Sequence, residues 1–425
     1  MTQGQDRIFG IWQRRVILYS AIGYAFFYLV RKNLSMAQAG MLEEGVISLE
    51  ALGTIMTAHG LLYGASRFVN GFWADRVNAR VFMVLGLVLS AALNLLFGCV
   101  SLTALFAAFW IVNGWTQGMG FPPCTKMLTH WIHPRELATK MSVWNASHSV
   151  GAVMALGLCS VLLGLGLNWR WCFWIPGVLA LAAAALVFFR VRETPTEAGL
   201  TELEDESPAP VTKHQASGTR HRFRLVFGNK VIWIVSIANF FVYSVRFGFL
   251  DWGPTFLKQF KGIPVAKGGL MIIAFELAAV VGTVFAGWVT DKVFKGRGQR
   301  TCVFCMLFAA LFSFAFWLLP SGAPGWQATL ILMGAGFCIY GPQALSGIIT
   351  ANQATKEAAA LATGFSGVCG YLSTTVSGIG LALVSKHFGW GVALAAIAVL
   401  AVVGMILFAL AWFCPADGYK RSEIR

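Results

Sequence analysis

The chain of 425 residues is 57% hydrophobic and only 12% charged, with a mean hydropathy of +0.69. Soluble domains carry roughly 25% charged residues, so this composition excludes a soluble protein and indicates one that is integral to a membrane. The net charge of +14 does not indicate a nucleic-acid partner, because the lysines and arginines lie between the hydrophobic runs, where the positive-inside rule places them. The nine cysteines are scattered and predict neither disulfides nor a metal site, and we expect no cofactor.

Hydrophobic runs of about 20 residues predict transmembrane helices, because such a run can cross the hydrocarbon core of a bilayer and these runs show no strand alternation. Six runs lie in the first half, at 16–36, 50–73, 81–101, 103–123, 138–163 and 169–189. Six more lie in the second half, at 231–253, 267–290, 301–319, 326–348, 358–384 and 388–412. The sequence therefore predicts an all-α integral membrane protein with twelve transmembrane helices.

The polar segments between the runs predict the domain division and the orientation. Residues 1–192 hold the first six helices as an N-terminal bundle, residues 193–230 form a cytoplasmic linker, and residues 231–425 hold the second six-helix bundle. Most of the 32 lysines and arginines fall at the termini and in the alternate loops on the same side as the termini. The positive-inside rule therefore predicts that both termini are cytoplasmic.

A short motif repeats after the second and the eighth run. The first copy, GFWADRVNAR, contains Asp75 and Arg76, and the second, GWVTDK, contains Asp291 and Lys292. An internal repeat of six helices, with a substrate site between the two halves, is found in many secondary transporters. We expect these loop residues to hold the gates of a transport cycle rather than to contact a substrate.

Two arginines occupy matching places in runs that are otherwise apolar. Arg31 lies in YAFFYLVRKNL and Arg246 lies in FFVYSVRFGFLD. A charged side chain inside a membrane span is costly, which makes both residues functional candidates. One interpretation is that the side chains snorkel to the lipid headgroups, and it is most credible for Lys32 beside Arg31. The other is a phosphate site, because a guanidinium stays charged and binds phosphate oxygens in pairs.

Several motifs resemble known transporters. The pattern G-x-x-x-D-[RK], followed by further basic residues, occurs after the second and eighth runs and resembles the cytoplasmic loop motif of the major facilitator superfamily. Within it, the chain is similar to the organophosphate:phosphate antiporter family in YLVRKN (28–33), ADRVNARVFM (74–83), NGWTQGMGFPPC (113–124), VWNASHSVGA (143–152), FVYSVRFGFLDWGPTFLK (241–258), IYGPQALSG (339–347) and ATGFSGVCGYL (362–372). This resemblance implies a major facilitator fold in a bacterial inner membrane, with Arg31 and Arg246 as the phosphate-binding arginines.

Further substrate-binding candidates of the first half surround Arg31. By their spacing, Tyr24 and Tyr28 share a helix face with Arg31. On the fifth predicted helix Asn145 and His148 are three residues apart and also share a face. The resemblance implies that His148 lies beside the site, where a histidine of near-neutral pKa can donate a hydrogen bond to phosphate.

The second helix contributes a polar stripe and the second half contributes tyrosines. Arg67 follows Tyr63 and His59 at spacings of four, so the three residues lie on one face. Family members often carry lysine at the position of Arg67. The Arg67 side chain could also simply reach the cytoplasmic surface. The resemblance implies that three tyrosines line the cavity, namely Tyr243, Tyr340 and Tyr371. Lys32 completes the set of candidate substrate ligands.

Two carboxylates lie within the apolar runs of the second half. Glu276 is inside the eighth run and Asp251 is near the outer end of the seventh. Because buried carboxylates are rarely unpaired, we expect them to balance the cationic residues of the site. We expect Glu276 to engage a lysine or an arginine as a gate moves.

The function implied by the resemblance is exchange of an organic phosphate for inorganic phosphate by rocking of the two bundles, with no enzymatic activity. A three-carbon ester such as glycerol-3-phosphate is favoured over a sugar phosphate, because the eleventh run carries neutral residues where hexose-phosphate members carry charges. A membrane sensor that signals to a histidine kinase and a proton-coupled carrier of another anion remain alternatives. The expected partners are the two phosphates and the lipid bilayer, with a membrane kinase only for a sensor, and we expect a monomer.

Overall fold

The computed structural model describes residues 3–74, 76–132, 140–141, 143–201, 219–320 and 322–416, and within these ranges the long elements are all helices. The first half contains α1 (Gln3–Glu43), α2 (Leu49–Ala74), α3 (Ala79–Cys99), α4 (Thr103–Gln117), α5 (Phe121–Trp131), α6 (Ser147–Gly164) and α7 (Trp171–Arg190). The second half contains α8 (Thr219–Phe227), α9 (Lys230–Lys261), α10 (Val265–Lys292), α11 (Gly298–Leu318), α12 (Gly325–Leu372) and α13 (Leu381–Leu410). Eight segments of the described chain are long and apolar enough to cross a membrane.

The fourth predicted span, 103–123, is divided between two helices. α4 ends at Gln117 and α5 begins at Phe121, with Pro122 and Pro123 in its first turn. Proline is tolerated in a first turn because those N–H groups have no partner within the helix, but inside a continuous helix it would remove a hydrogen bond. The glycine- and proline-rich sequence that begins at Gly118 therefore starts a new helix.

The last two predicted spans, 358–384 and 388–412, meet at a glycine. α13 runs from Leu381 to Leu410, but Gly389 within it has φ 82° and ψ 166°. That backbone conformation is open to glycine and strained for other residues. The helical path is therefore interrupted at Gly389, close to the boundary that the sequence predicts. Most of the eleventh predicted span, 358–384, lies in α12 together with the tenth, 326–348. The first part of α12, Gly325–Ala354, is by itself long and apolar enough to cross a membrane.

By residue contacts, the chain divides into two compact units. The first unit comprises Met1–Ala51 and Ala58–Ser207, and the second comprises Leu52–Thr57 and Pro208–Arg425. In the first unit a core of aromatic residues surrounds Trp131 and Trp144, which are almost completely buried. The predicted bundle boundaries at residues 192 and 230 remain a prediction.

The beginning of the predicted linker packs against the first unit. The Glu193 carboxylate lies 2.8 Å from Lys126 Nζ and accepts a hydrogen bond from the Ala79 amide at 3.0 Å. Glu197 accepts a hydrogen bond from Asn78 Nδ2 at 2.7 Å. Ala79 is the first residue of α3, so Glu193 places a negative charge at a helix N-terminus, where it is favourable. Residues 193–197 therefore fix the loop between α2 and α3.

Replacing Glu193 by Gln tests this anchor. The substitution keeps an acceptor for the Ala79 amide but removes the largely buried ion pair with Lys126. We expect the free energy of unfolding to fall by about 1–3 kcal/mol, because the Lys126 ammonium loses its carboxylate partner and keeps neutral acceptors such as the Ala74 and Val77 carbonyls. Thermal or denaturant unfolding of the detergent-solubilised protein measures the change. The exposed Glu43 provides the matched control, and Glu43→Gln should cost less than about 0.5 kcal/mol. Equal effects of the two variants would contradict the anchor.

Candidate functional site

Arg31 of the first unit lies on aromatic rings. Its guanidinium carbon is 3.9 Å from the centre of the Tyr63 ring and 5.4 Å from that of Tyr28. A cation over an aromatic face gains about 0.5–2 kcal/mol, and more when both groups are desolvated. The rings therefore stabilise the charge of Arg31 inside a largely apolar helix bundle.

Polar contacts to the backbone fix the position of Arg31 on α1. The carbonyl oxygen of Val30 accepts hydrogen bonds from Asn94 Nδ2 at 2.9 Å and from Asn113 Nδ2 at 3.3 Å. Asn94 also accepts a hydrogen bond from Asn33 Nδ2 at 2.8 Å. Buried amides of this kind act as polar contacts between transmembrane helices. They join α1 to α3 and α4 at the turn that carries Arg31.

The other candidates of the first unit surround the same region. Tyr28 contacts His148, with ring centres 5.4 Å apart, and His148 Nδ1 donates to the backbone carbonyl of Asn145 at 2.6 Å. That bond places the proton on Nδ1. The Asn145 residue itself is exposed, and Tyr24 stacks on Trp144 at 4.9 Å. The structure thus brings Arg31, Tyr28 and His148 together and places Tyr24 one turn further from Arg31.

The positions of Arg67 and Lys32 bear on the snorkelling interpretation. The Arg67 guanidinium lies 4.6 Å from the Phe121 ring centre and 5.9 Å from that of Tyr63, so the Tyr63 ring is close to two arginines. Lys32 is only 6% exposed, which means that its side chain is enclosed by protein. Snorkelling to the headgroups therefore does not describe Lys32. Tyr63 and Phe121 are not among the predicted ligands. The spacing of four residues between Tyr63 and Arg67 does show that these two side chains share a face of α2.

Arg246 of the second unit forms a cluster with Tyr340 and Glu276. Its guanidinium carbon lies 4.4 Å from the Tyr340 ring centre, and the Tyr340 hydroxyl donates a hydrogen bond to Glu276 Oε1. Arg246 is 7% exposed and Glu276 is 1% exposed. The cluster therefore combines a cation and an anion within the protein, linked through a tyrosine. Tyr243 and Tyr371 form a neighbouring edge-to-face pair at 5.7 Å.

The remaining predicted residues lie away from these clusters or outside the described ranges. Asp251 follows Arg246 by five residues and is half-buried on a different face of α9. Asp291 and Lys292 are exposed at the end of α10, and Arg76 is exposed after α2. Asp75 lies outside the described residues. The gating and charge-balance roles of these five residues stay predictions.

These features define a helical membrane protein whose two units each enclose an arginine on aromatic rings. Among the described residues, no group of three His, Cys, Asp or Glu side chains is placed to hold a metal ion.

The comparisons with known proteins agree with this class. Residues 20–378 match the family model of the Major Facilitator Superfamily. The glycerol-3-phosphate transporter of Bacillus subtilis is 34% identical, over 95% of this chain and 92% of its own. A probable hexose phosphate transport protein of Chlamydia muridarum is 32% identical over 97% and 93% of the two chains, and the membrane sensor protein UhpC of Escherichia coli is 32% identical over 95% and 92%.

A solved structure shares the fold. The inward-facing, unoccupied structure of a bacterial homologue of the human lysosomal transporter Spinster has a TM-score of 0.80 and 17% identity, and the match covers 94% of this chain and 97% of that one.

The chain belongs to the major facilitator superfamily and, within it, to the organophosphate:phosphate antiporter family. Its fold is the predicted all-α membrane fold of the major facilitator type. It is a multi-pass protein of a bacterial inner membrane, and its relatives are transporters and a sensor rather than enzymes.

The hydrogen bond between Tyr340 and Glu276 predicts a specific loss of stability. Tyr340→Phe leaves a buried carboxylate oxygen without its donor, so the free energy of unfolding should fall by about 1–3 kcal/mol. Denaturant unfolding of the detergent-solubilised protein measures this loss. Tyr19 is half-buried in the first unit and its hydroxyl makes no hydrogen bond to the described residues, so Tyr19→Phe is the matched control with little expected effect. Equal losses in the two variants would show that the hydrogen bond does not stabilise the cluster.

Proposed function

We propose that this protein exchanges an organic phosphate for inorganic phosphate across the inner membrane by rocking of its two six-helix units. The observation that carries the proposal is the repeated arrangement of a guanidinium over a tyrosine ring, Arg31 over Tyr63 and Arg246 over Tyr340. The relatives include proteins named as transporters of glycerol-3-phosphate and of hexose phosphate, which supports a phosphate ester as the substrate.

In the proposed cycle a phosphate dianion is bound by Arg31 of one unit and Arg246 of the other. Each guanidinium offers two parallel N–H donors, which match two phosphate oxygens. Without an anion the two cations repel and oppose closure of the units around the site. With an anion the closed state is favoured, because a ligand shifts an equilibrium only through its different affinity for the two states. The carrier therefore changes orientation when loaded, and exchange rather than net flow results.

A three-carbon ester is the proposed organic substrate. The segment after α12 contributes neutral side chains, and two of its hydroxyls are already bonded within the chain. Thr374 donates to the Tyr371 carbonyl at 2.8 Å and Thr375 to the Leu372 carbonyl at 2.8 Å. Each of these hydroxyls has used its one hydrogen and keeps only acceptor lone pairs for a ligand, and residues 373–380 carry no charged side chain. Both termini are proposed to be cytoplasmic, and the carrier is proposed to act as a monomer.

A membrane sensor is the second candidate function, because the sensor protein UhpC matches the chain over nearly its whole length. In that case the same site would bind a sugar phosphate, and the protein would signal to a membrane kinase without exchanging its ligand. Binding of glucose-6-phosphate with no exchange in proteoliposomes would favour the sensor over the carrier.

The arginine fork can be tested directly. Arg31→Lys and Arg246→Lys keep the positive charge but remove the paired donors, so each should lower the exchange of labelled phosphate by about 100-fold. Exchange is measured in proteoliposomes against glycerol-3-phosphate, a phosphoglycerate and glucose-6-phosphate.

The control for these variants is the same substitution elsewhere in the chain. Arg300 also lies over an aromatic ring, that of Trp412 at 5.1 Å, but it is at the start of α11 and outside the proposed site. Arg300→Lys should leave exchange near the wild-type rate. Full exchange by either the Arg31 or the Arg246 variant would overturn the proposed phosphate site.

A further inference from the structure

His59 is a buried histidine of α2 that the proposed site does not yet use. It lies one turn before Tyr63 and is 6% exposed. Its ring stacks on the Trp110 ring of α4, with centres 5.3 Å apart, and its Nδ1 lies 2.8 Å from the Trp110 carbonyl oxygen. Because a carbonyl oxygen only accepts, Nδ1 carries the hydrogen and donates it. The orientation of the ring is therefore fixed by the backbone of α4.

Gly114 allows this approach of α4 to α2. A Cβ atom at position 114 would lie 2.7 Å from the His59 carbonyl oxygen and 3.2 Å from His59 Nδ1. A side chain at this position would push the two helices apart and break the contact. The crossing of α2 and α4 thus holds the imidazole in one orientation, with Nδ1 on the Trp110 carbonyl oxygen.

The second ring nitrogen of His59 is an unsatisfied acceptor. Nε2 is buried and has no hydrogen-bond partner among the described residues. A protonated ring would place a second positive charge near those of Arg31 and Lys32, which is unfavourable inside the protein. The neutral ring instead presents a lone pair at Nε2. An unpaired buried acceptor is destabilising, and such a group in a folded protein needs a partner to account for it.

The position of this lone pair relates it to the phosphate site. His59 and Tyr63 are on the same face of α2, one turn apart, and the Arg31 guanidinium lies over the Tyr63 ring at 3.9 Å. A phosphate compound bound to Arg31 would therefore place its other groups beside this face of α2. An ionised phosphate oxygen cannot pair with a lone pair, but a hydroxyl can donate to it. The two sources of such a hydroxyl are the P–OH of monoprotonated phosphate and a C–OH of the organic ester.

We propose that His59 is a further substrate-positioning residue, whose Nε2 accepts a hydrogen bond from a hydroxyl group of the phosphate compound bound at Arg31. This inference rests on the proposed function and assigns different roles in it to Arg31 and His59. Arg31 binds the ionised oxygens and does not distinguish one phosphate from another. His59 selects orientations, and ligands, that place a hydroxyl against α2.

Two substitutions separate this role from a structural one. In His59→Asn the side-chain amide takes the place of Nδ1, so it retains the hydrogen bond to Trp110 and loses the acceptor. In His59→Gln the longer side chain places an oxygen near the position of Nε2, so it retains the acceptor and loses the hydrogen bond to Trp110. A structural role predicts that Asn is the milder change, whereas substrate positioning predicts that Gln is the milder change.

Binding of three ligands to the detergent-solubilised protein at pH 8 gives the readout. Inorganic phosphate has a P–OH, glycerol-3-phosphate has C–OH groups, and propyl phosphate has no hydroxyl once it is fully ionised. We expect His59→Asn to weaken the binding of at least one hydroxyl-bearing ligand about tenfold and to leave propyl phosphate unchanged, and His59→Gln to stay within about threefold of wild type. Loss for phosphate alone assigns the P–OH as donor, and loss for glycerol-3-phosphate alone assigns the C–OH.

Wild-type protein with ¹⁵N-labelled histidine provides a measurement that does not depend on variants that fold. The His59 signals are assigned by their absence in either variant, or by comparison with the other six histidines if neither folds. Addition of phosphate or glycerol-3-phosphate should move the Nε2 resonance toward that of a hydrogen-bonded acceptor and leave Nδ1 in place. An unchanged Nε2 resonance on saturation would overturn the inference.

The binding results distinguish this inference from the proposed function. If wild type binds and exchanges both phosphates while His59→Asn binds them equally well, or loses propyl phosphate to the same extent, the role of His59 is wrong and the carrier stands. The same conclusion follows if Gln is the more damaging change. If wild type binds none of the three ligands, the proposed function fails and the inference falls with it.

Discussion

The arrangement of both units depends on one constraint, which is that the guanidinium groups of Arg31 and Arg246 stay charged inside a membrane protein. Burial of an arginine is costly unless nearby groups replace the water that it loses. Both units do so first with a tyrosine ring, Tyr63 under Arg31 and Tyr340 under Arg246. An aromatic face stabilises the cation without occupying all of its N–H groups. The tyrosine rings therefore account for how the chain holds the two charges, and the binding of an anion there is our proposal.

The two units complete this arrangement differently. In the second unit Glu276 supplies a carboxylate next to the Tyr340 hydroxyl, so the charge of Arg246 has an anion within its own cluster. In the first unit His148 contacts Tyr28, over whose ring Arg31 lies, and His59 lies one turn before Tyr63 on α2. Neutral imidazoles can donate or accept, according to which nitrogen carries the proton. We therefore propose that the first unit reads hydroxyl groups of the ligand and that Glu276 of the second unit balances charge.

The sequence was sufficient for the elements that depend on composition and repetition. Runs of apolar residues predict the spans. The repeat singles out Arg31 and Arg246, because an arginine inside an apolar run is costly and is seldom kept without a functional role. Features that depend on tertiary contacts were not accessible. The platform of Tyr63 under Arg31 and the orientation of His59 follow from the packing of α2 on α1 and α4, and the anchoring of Glu193 on Lys126 joins residues far apart in the chain. The division of the fourth span could have been read from Pro122 and Pro123.

The central claim is that the anion is needed for the carrier to change orientation, and one measurement tests it most directly. Proteoliposomes containing the wild-type protein are filled either with phosphate or with an inert buffer, and the uptake of labelled glycerol-3-phosphate is followed in both. The account predicts rapid uptake into phosphate-filled vesicles and almost none into the others. Equal uptake into both, or uptake that follows an imposed pH gradient without internal phosphate, would contradict it.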